Sequence, residues 1–256
     1  MKFAIVNNEK VEAAKGLKGF CPICQEPVIS KCGSIKVNHW AHKRCSHCDK
    51  WWENETEWHR NWKNHFPEEW QEFVAFDEKT GEKHIADIKT NNDMVIEFQH
   101  SHISEEERIS RENFYKNMIW VVDGTRRKRD YEKFCSLIGY GDLWNVPNTR
   151  LYVVKYGIGN FPHEWRNSKV PVFYDFLGLL NPNDYCNNDQ RRYPLWCLLP
   201  IRETKKSLSI IFYIDRDLFI QDVIKGRFSL NYKEITNIID DNIINNRLQR
   251  VRIRQH

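Results

Sequence analysis

The sequence predicts a mixed α/β protein of the α+β kind. It has an α-β-β-β-α-β core, a small Cys/His-rich module before it and a β-rich extension after it. Three observations carry this. Cysteines and histidines crowd residues 21–48, a helix-like hydrophobic period from residue 54 then gives way to three strand-like runs ending at 99, and a second helical stretch ends at the buried-type run "MIWVVDG". The expected divisions are 1–53 for the module, 54–144 for the core and 145–256 for the extension.

The chain begins with a short strand, "KFAIV", and a polar hairpin or loop leading into "CPIC". Two short β-like runs, "PVIS" and "SIKVNHW", follow in a segment too small to fold on apolar burial alone. In "NETEWHRNWKNHF", Glu55, His59 and Lys63 fall at i, i+4 and i+8 beside a stripe of Trp58, Trp62 and Phe66. The pattern predicts a helix capped by Asn54 and stopped before Pro67. Strands are expected at 70–76, 83–89 and 94–99, separated by the turn sequences "DEKTGE" and "TNND", as an antiparallel meander. Ser104 and Glu107 form a capping box for a helix to about Asn117, and residues 118–124 read as a fully buried strand. Beyond "GTRRKRDY" the pattern weakens; strands are expected near 150–156, 170–176, 195–202 and 208–214, with an Asn-rich loop at 181–190.

With 41% hydrophobic and 29% charged residues and ten tryptophans, the 256-residue chain is folded and not a disordered tail. Its longest apolar runs are far short of the roughly 20 residues that span a bilayer, and its start lacks a secretory pattern, so no membrane partner and a cytoplasmic location are expected. A net charge of +4 is too small to establish a polyanionic partner.

Five of the eight cysteines lie within residues 21–48, interleaved with histidines, which favours metal binding over disulfides. Cys21 and Cys24 with His39 and His42 make a tetrahedral Zn²⁺ set, with Cys48 as a rival ligand, because Cys45-x2-Cys48 has the same bite. The spacing does not choose between them. With four protein ligands such a zinc is closed to substrate and structural. Trp40, Trp51 and Trp52 would stack on bases or form the core of the module, the commoner role.

The chemistry is expected on the second and third strands of the meander. Glu97 and Gln99 share a face of their strand, and Asp87 stands on the same face if its strand is the antiparallel neighbour. Two carboxylates so close repel unless a cation sits between them, and Mg²⁺ or Mn²⁺ suits such oxygen donors. Glu55 or His59 would adjust the metal or move a proton, Gln99 would orient water or a phosphate oxygen, and Lys63 would supply a cation from the helix. Arg108, Arg111 and Tyr115 at i, i+3 and i+7, with Arg126, Arg127, Lys128 and Arg129, are candidates for phosphate contact or a solvated surface.

The segments "CPIC", "HWAH", "ETEWH", "HIADIKT", "VIEFQHS", "RENFY" and "WVVDG" resemble, in this order, the motifs of CoiA-like nucleases, a branch of the PD-(D/E)XK superfamily. The resemblance covers roughly residues 18–125. It implies a restriction-endonuclease-like core with Glu55, Asp87 and Glu97 as acidic metal-site residues and His59 in the helical part of the site. Gln99 stands where the wider superfamily has lysine. The expectation is a metal-dependent DNA nuclease with a zinc module, in DNA uptake, processing or defence; a homo-oligomer is compatible with it. The alternatives are a non-catalytic nucleic-acid-binding protein, or an HNH-like nuclease with His39 as general base.

Overall fold

A computed structural model describes residues 1–43, 48–51, 55–78, 80–140, 143–155, 161–177, 194–200, 208–245 and 247–250. Cys45, His47, Trp52, Asn54 and the Asn-rich stretch at 181–190 lie outside the described residues. The chain forms two compact units, one of Met1–His102 with Phe114–Asn117, the other of Ile103–Asn113 with Met118–His256. This division does not coincide with the composition boundaries at 53/54 and 144/145.

In the first unit, β1 (Phe3–Val6), β2 (Glu9–Glu12), β3 (Lys18–Phe20), β4 (Pro27–Lys31) and β5 (His39–His42) form an antiparallel sheet in the order β2-β1-β3-β4-β5. Its core gathers Ala4, Ala13, Cys21, Val28 and a fully buried Trp40, whose indole N–H donates to the Val11 carbonyl at 2.9 Å. Trp40 is therefore core and not a surface for stacking bases.

Helix α1 (Glu57–Lys63) follows, with Thr56 as its N-cap: the Thr56 hydroxyl accepts from the His59 N–H. The meander is as expected, β6 (Gln71–Phe76), β7 (Lys83–Lys89) and β8 (Val95–Gln99), with β7 antiparallel to both neighbours. Trp62, fully buried on α1, stacks on Phe98 of β8 with centroids 5.5 Å apart, and Phe66 joins them. The apolar stripe read in the sequence is thus the face that holds α1 on the meander.

Helix α2 (Glu105–Tyr115) and strand β9 (Met118–Asp123) complete the α-β-β-β-α-β order along the chain. In the second unit β9 runs parallel to β12 (Val172–Asp175). Strands β10 (Leu143–Asn145), β11 (Leu151–Lys155), β13 (Pro194–Leu198), β14 (Leu208–Asp215) and β15 (Gln249–Arg250) extend a mixed sheet in the order β15-β10-β11-β14-β13-β12-β9. Helix α3 (Lys128–Tyr140) lays Phe134 against Phe176 and Trp196, at 4.4 and 5.3 Å between centroids. At Gly124 a Cβ would come within 2.4 Å of the Phe176 ring, so the close approach requires glycine there.

The extension is less purely β than expected. Helices α4 (Arg216–Ile224) and α5 (Tyr232–Ile244) follow β14, capped by Asp215 and Asn231, and the basic run of residues 126–129 enters α3 at Lys128. In α4 the buried residues are Phe219, Ile220 and Val223, while Leu218 and Ile224 are exposed, so apolar residues on both faces hide the helical period.

Removing the Trp62 ring empties the α1–β8 contact. Trp62→Ala is expected to destabilise the fold by about 3–5 kcal/mol, and Trp62→Phe by clearly less, in denaturant unfolding followed by circular dichroism.

Candidate active site and metal centre

The "CPIC" sequence forms a knuckle. The Cys21 N–H bonds the Glu26 carbonyl at 2.9 Å, the Gln25 N–H bonds the Cys21 carbonyl at 3.0 Å, and Gln25 takes a left-handed φ of 60° to close the turn. Across from it stand His42 at the end of β5 and Cys48. The ligand atoms of Cys21, Cys24, His42 and Cys48 all lie within 4.8 Å of one another, with Cys21 Sγ to Cys48 Sγ at 3.6 Å and Cys24 Sγ to His42 Nε2 at 3.3 Å. Tetrahedral zinc with bonds of about 2.3 Å to sulfur places sulfurs roughly 3.8 Å apart, so this set fits the ion. Burial pushes the Cys48 thiol up, so a thiolate at this position needs a cation beside it. Burial also lowers the His42 pKa, which favours the neutral imidazole that ligates metal.

His39 stands apart: its Nδ1 lies 2.9 Å from the Val37 carbonyl, and Cys48 takes the fourth position expected for it. The reason is the strand. His39 and His42 are three residues apart on β5, so their side chains leave opposite faces and cannot meet at one ion. Among the described residues no metal-holding group forms around His39, as the HNH-like alternative requires.

The carboxylates assemble where β7 and β8 part. The two strands pair at Ile88↔Ile96 and Lys89↔Val95, which sets Asp87 opposite Glu97 one step further along. There side chains replace the ladder. The Asp87 N–H donates to Glu97 Oε1 at 3.2 Å, and the Phe98 N–H donates to Asp87 Oδ2 at 3.0 Å. Glu97 is buried, whereas the Asp87 side chain keeps 21% of its surface exposed. The Gln99 amide N–H₂ donates to the backbone and hydroxyl oxygens of Ser101, both at 3.3 Å.

His59 reaches the same strand from α1. Its Nε2 lies 2.5 Å from the Phe98 carbonyl and its Nδ1 3.2 Å from the Thr56 hydroxyl. A carbonyl only accepts, so the proton sits on Nε2 and Nδ1 accepts from Thr56. His59 thereby fixes the backbone of β8 at the fork.

Lys63 is the cation of the site. Its buried ammonium lies 2.8 Å from Glu55, 3.0 Å from Glu72 and 3.6 Å from Asp87. Burial opposes that charge, but the carboxylates, Glu72 first, outweigh it and hold the pKa above the ordinary lysine value. Glu55, ion-paired to Arg60 at 2.7 Å as well, has its pKa lowered: burial would raise it, and the Lys63 charge overrides burial.

Glu72 was not singled out from the sequence. It lies opposite Asp87 in the β6–β7 register and has a left-handed φ of 47°, costly for a non-glycine residue. Its carboxylate accepts from the Lys2 and Phe3 N–H groups at 2.6 and 2.9 Å. Burial would raise its pKa, but Lys63 and these amides draw it down to about 2.

The other basic candidates belong to the second unit, apart from Tyr115, which packs with Trp51 and Phe114 in the first. Arg108 is fully buried and pairs with Glu112 at 2.7 Å. Arg111 pairs with Glu107 at 2.5 Å beneath the Trp120 ring. The helix face expected to meet phosphates is thus turned inward at these two residues. In the basic run Arg127 is held by Glu164 at 3.0 Å, and Lys128 and Arg129 are exposed.

The chain thus carries a Cys3His knuckle module followed along the sequence by an α/β segment with acidic residues on adjacent strands. Family models agree: the N-terminal domain of competence protein CoiA matches residues 4–50, and the nuclease-like domain of competence protein CoiA matches residues 82–142. The two matches fall in that order along the chain, which is similar to CoiA over these two segments. No curated protein and no solved structure matches it. No helix of the described residues is long and apolar enough to cross a membrane. The matched segments contain Asp87, Glu97 and the knuckle but leave out Glu55, Lys63 and Glu72.

The geometry separates the two histidines experimentally. Cys48→Ser should lower the zinc content of purified protein, measured by elemental analysis, whereas His39→Ala should leave about one zinc per chain. Glu72 gives a pH signature. Its folded pKa lies below the ordinary 4.5, so its stabilisation is complete above that value and is lost as pH falls towards about 2. Glu72→Gln should lower stability at pH 7 and flatten the fall in stability between those limits, as read by urea unfolding across the acid range.

Proposed function

We propose that the protein is a metal-dependent nuclease that hydrolyses phosphodiester bonds of DNA, with Asp87 and Glu97 holding Mg²⁺ or Mn²⁺. The observation that carries this reading is the fork of β7 and β8. It brings two carboxylates face to face beside a buried ammonium, inside a segment matched by a nuclease-like domain. The hard oxygen donors of Asp87 and Glu97 suit Mg²⁺ or Mn²⁺. A divalent cation bound there lowers the pKa of a water and neutralises charge gathering on the phosphodiester.

The chain's own residues do the rest. Glu55 and Glu72 fix the Lys63 ammonium beside Asp87, His59 holds the backbone of β8, and the amide of Gln99 orients water or a phosphate oxygen. The exposed Lys128 and Arg129 are open to the phosphate backbone. The match to CoiA-like domains supports a role in DNA uptake or processing.

A second reading rests on Lys63. An ammonium 3.6 Å from Asp87 is a resident cation, which a site that binds nucleic acid without cleaving it would need. One assay decides between them: incubation of labelled single-stranded, duplex and branched DNA with Mg²⁺, Mn²⁺ or EDTA. Cleavage that EDTA abolishes is expected, and Asp87→Asn and Glu97→Gln should each reduce it on the order of 100-fold or more, since even outer-shell partners of a metal cost up to about that much. Undiminished cleavage by either variant overturns the assignment. DNA binding with no cleavage under any metal favours the second reading.

A further inference from the structure

The fork has a second keeper. Alternate residues of a strand point their N–H groups to the same side, so Ile85 and Asp87 share one edge of β7, and Glu97 reaches that edge from β8. The Asp87 N–H is taken by the Glu97 carboxylate, and at the Lys89–Val95 pair the Val95 N–H turns away to the Asn117 carbonyl. By the same register Ile85 would meet Gln99. Instead its N–H donates to Asp49 Oδ2 at 2.9 Å. The Asp49 carboxylate takes at Ile85 the place on that edge of β7 that the Glu97 carboxylate takes at Asp87.

Asp49 is firmly placed. Its Oδ1 accepts from His84 Nδ1 at 2.8 Å and from the Trp51 N–H at 3.0 Å, its side chain is only 7% exposed, and the Trp51 ring stacks on the His84 ring at 3.3 Å between centroids. Its neighbour in the chain is Cys48, a member of the Cys3His group.

We propose that Asp49 is a positioning residue for the Asp87–Glu97 site: seated by zinc at Cys48, it occupies the edge of β7 at Ile85 and holds β7 and β8 apart where the two carboxylates meet. Zinc would then set the geometry of a site it does not touch. A carboxylate with two oxygens suits this, because one satisfies β7 while the other fastens His84 and Trp51. The part that concerns metal held by Asp87 and Glu97 rests on the proposed function; the part that concerns the strands does not.

The test is amide hydrogen exchange resolved to single residues on the full chain, with zinc content and Mn²⁺ affinity measured on the same samples. In Asp49→Ala, zinc should stay near one per chain while Ile85 and Asp87 exchange about ten- to a hundredfold faster relative to Lys89, the loss of a charge-assisted bond. Mn²⁺ binding, read by electron paramagnetic resonance, should weaken about tenfold or more, as for an outer-shell partner. Asp49→Asn keeps an acceptor oxygen and should show a smaller change, and it carries the test if the alanine variant does not fold. Stripping zinc from the wild type with a chelator should free the Ile85 amide and spare Lys89. Unchanged protection of Ile85 in Asp49→Asn and in zinc-stripped protein overturns the proposal. Absence of Mn²⁺ binding by the wild type overturns the proposed function, and the exchange comparison still decides whether Asp49 holds the strands.

Discussion

A buried ammonium dictates much of the first unit. Taking the Lys63 charge out of water costs several kcal/mol even after relaxation, and only close, well-oriented carboxylates offset it. The structure draws them from three places: Glu55 ahead of α1, Glu72 at the start of β6 and Asp87 on β7. Each location then acquires a constraint of its own. Glu72 takes a left-handed backbone to reach Lys63, and the amides of Lys2 and Phe3 hold it there, which binds the start of the N-terminal sheet to the acidic cluster. Losing any one carboxylate would leave part of a buried charge uncompensated, so the module, α1 and the meander are tied by electrostatics as well as by apolar contact.

The fork follows from the same chemistry. A backbone amide withdrawn from a sheet ladder must find another acceptor, and an ionised carboxylate is a stronger one than a carbonyl. Asp87 and Glu97 each accept from the opposite strand, and His59 takes the Phe98 carbonyl. The strands separate without orphaning these groups. The acids are held by the chain they would otherwise have left unpaired.

Much of this was legible in the sequence. The change of period placed β6, β7 and β8 within one residue and α1 within about three, and the two-residue repeat of a strand puts Asp87 and Glu97 on one face once β7 and β8 are antiparallel neighbours. Glu72 was not, because in "WQEFVAF" it looks like any polar strand position; its role depends on β1 and Lys63, distant in sequence. The fourth member of the Cys3His group was named in the sequence only as a rival, Cys48, although the strand pattern favours it. "SIKVNHW" read as β-like, and two histidines three apart on a strand cannot share an ion, which leaves Cys48. Arg108 could not be read correctly from its stripe alone, since an arginine at helical spacing looks the same whether it faces solvent or a buried Glu112. Helix α4 escaped because apolar residues on both of its faces erase the period.

The balance of charge bears on Gln99 and on the choice between cleavage and binding. Arg60 is shared between Glu55 and Glu12, so Lys63 is the cation that touches both Glu72 and Asp87. At ion-pair distance Glu55, Glu72 and Asp87 meet Lys63, Glu55 also meets Arg60, and the Met1 and Lys10 ammoniums act on Glu72, so the negative surplus lies at the Asp87–Glu97 end. A lysine at position 99 would reduce that surplus; glutamine, being neutral, preserves it. A phosphodiester approaching such a site without a divalent cation meets like charge, whereas Mg²⁺ or Mn²⁺ between Asp87 and Glu97 would reverse the local sign and attract it. That surplus supports the nuclease reading over simple binding, and it makes Lys63 part of the acidic framework more than a replacement for the metal.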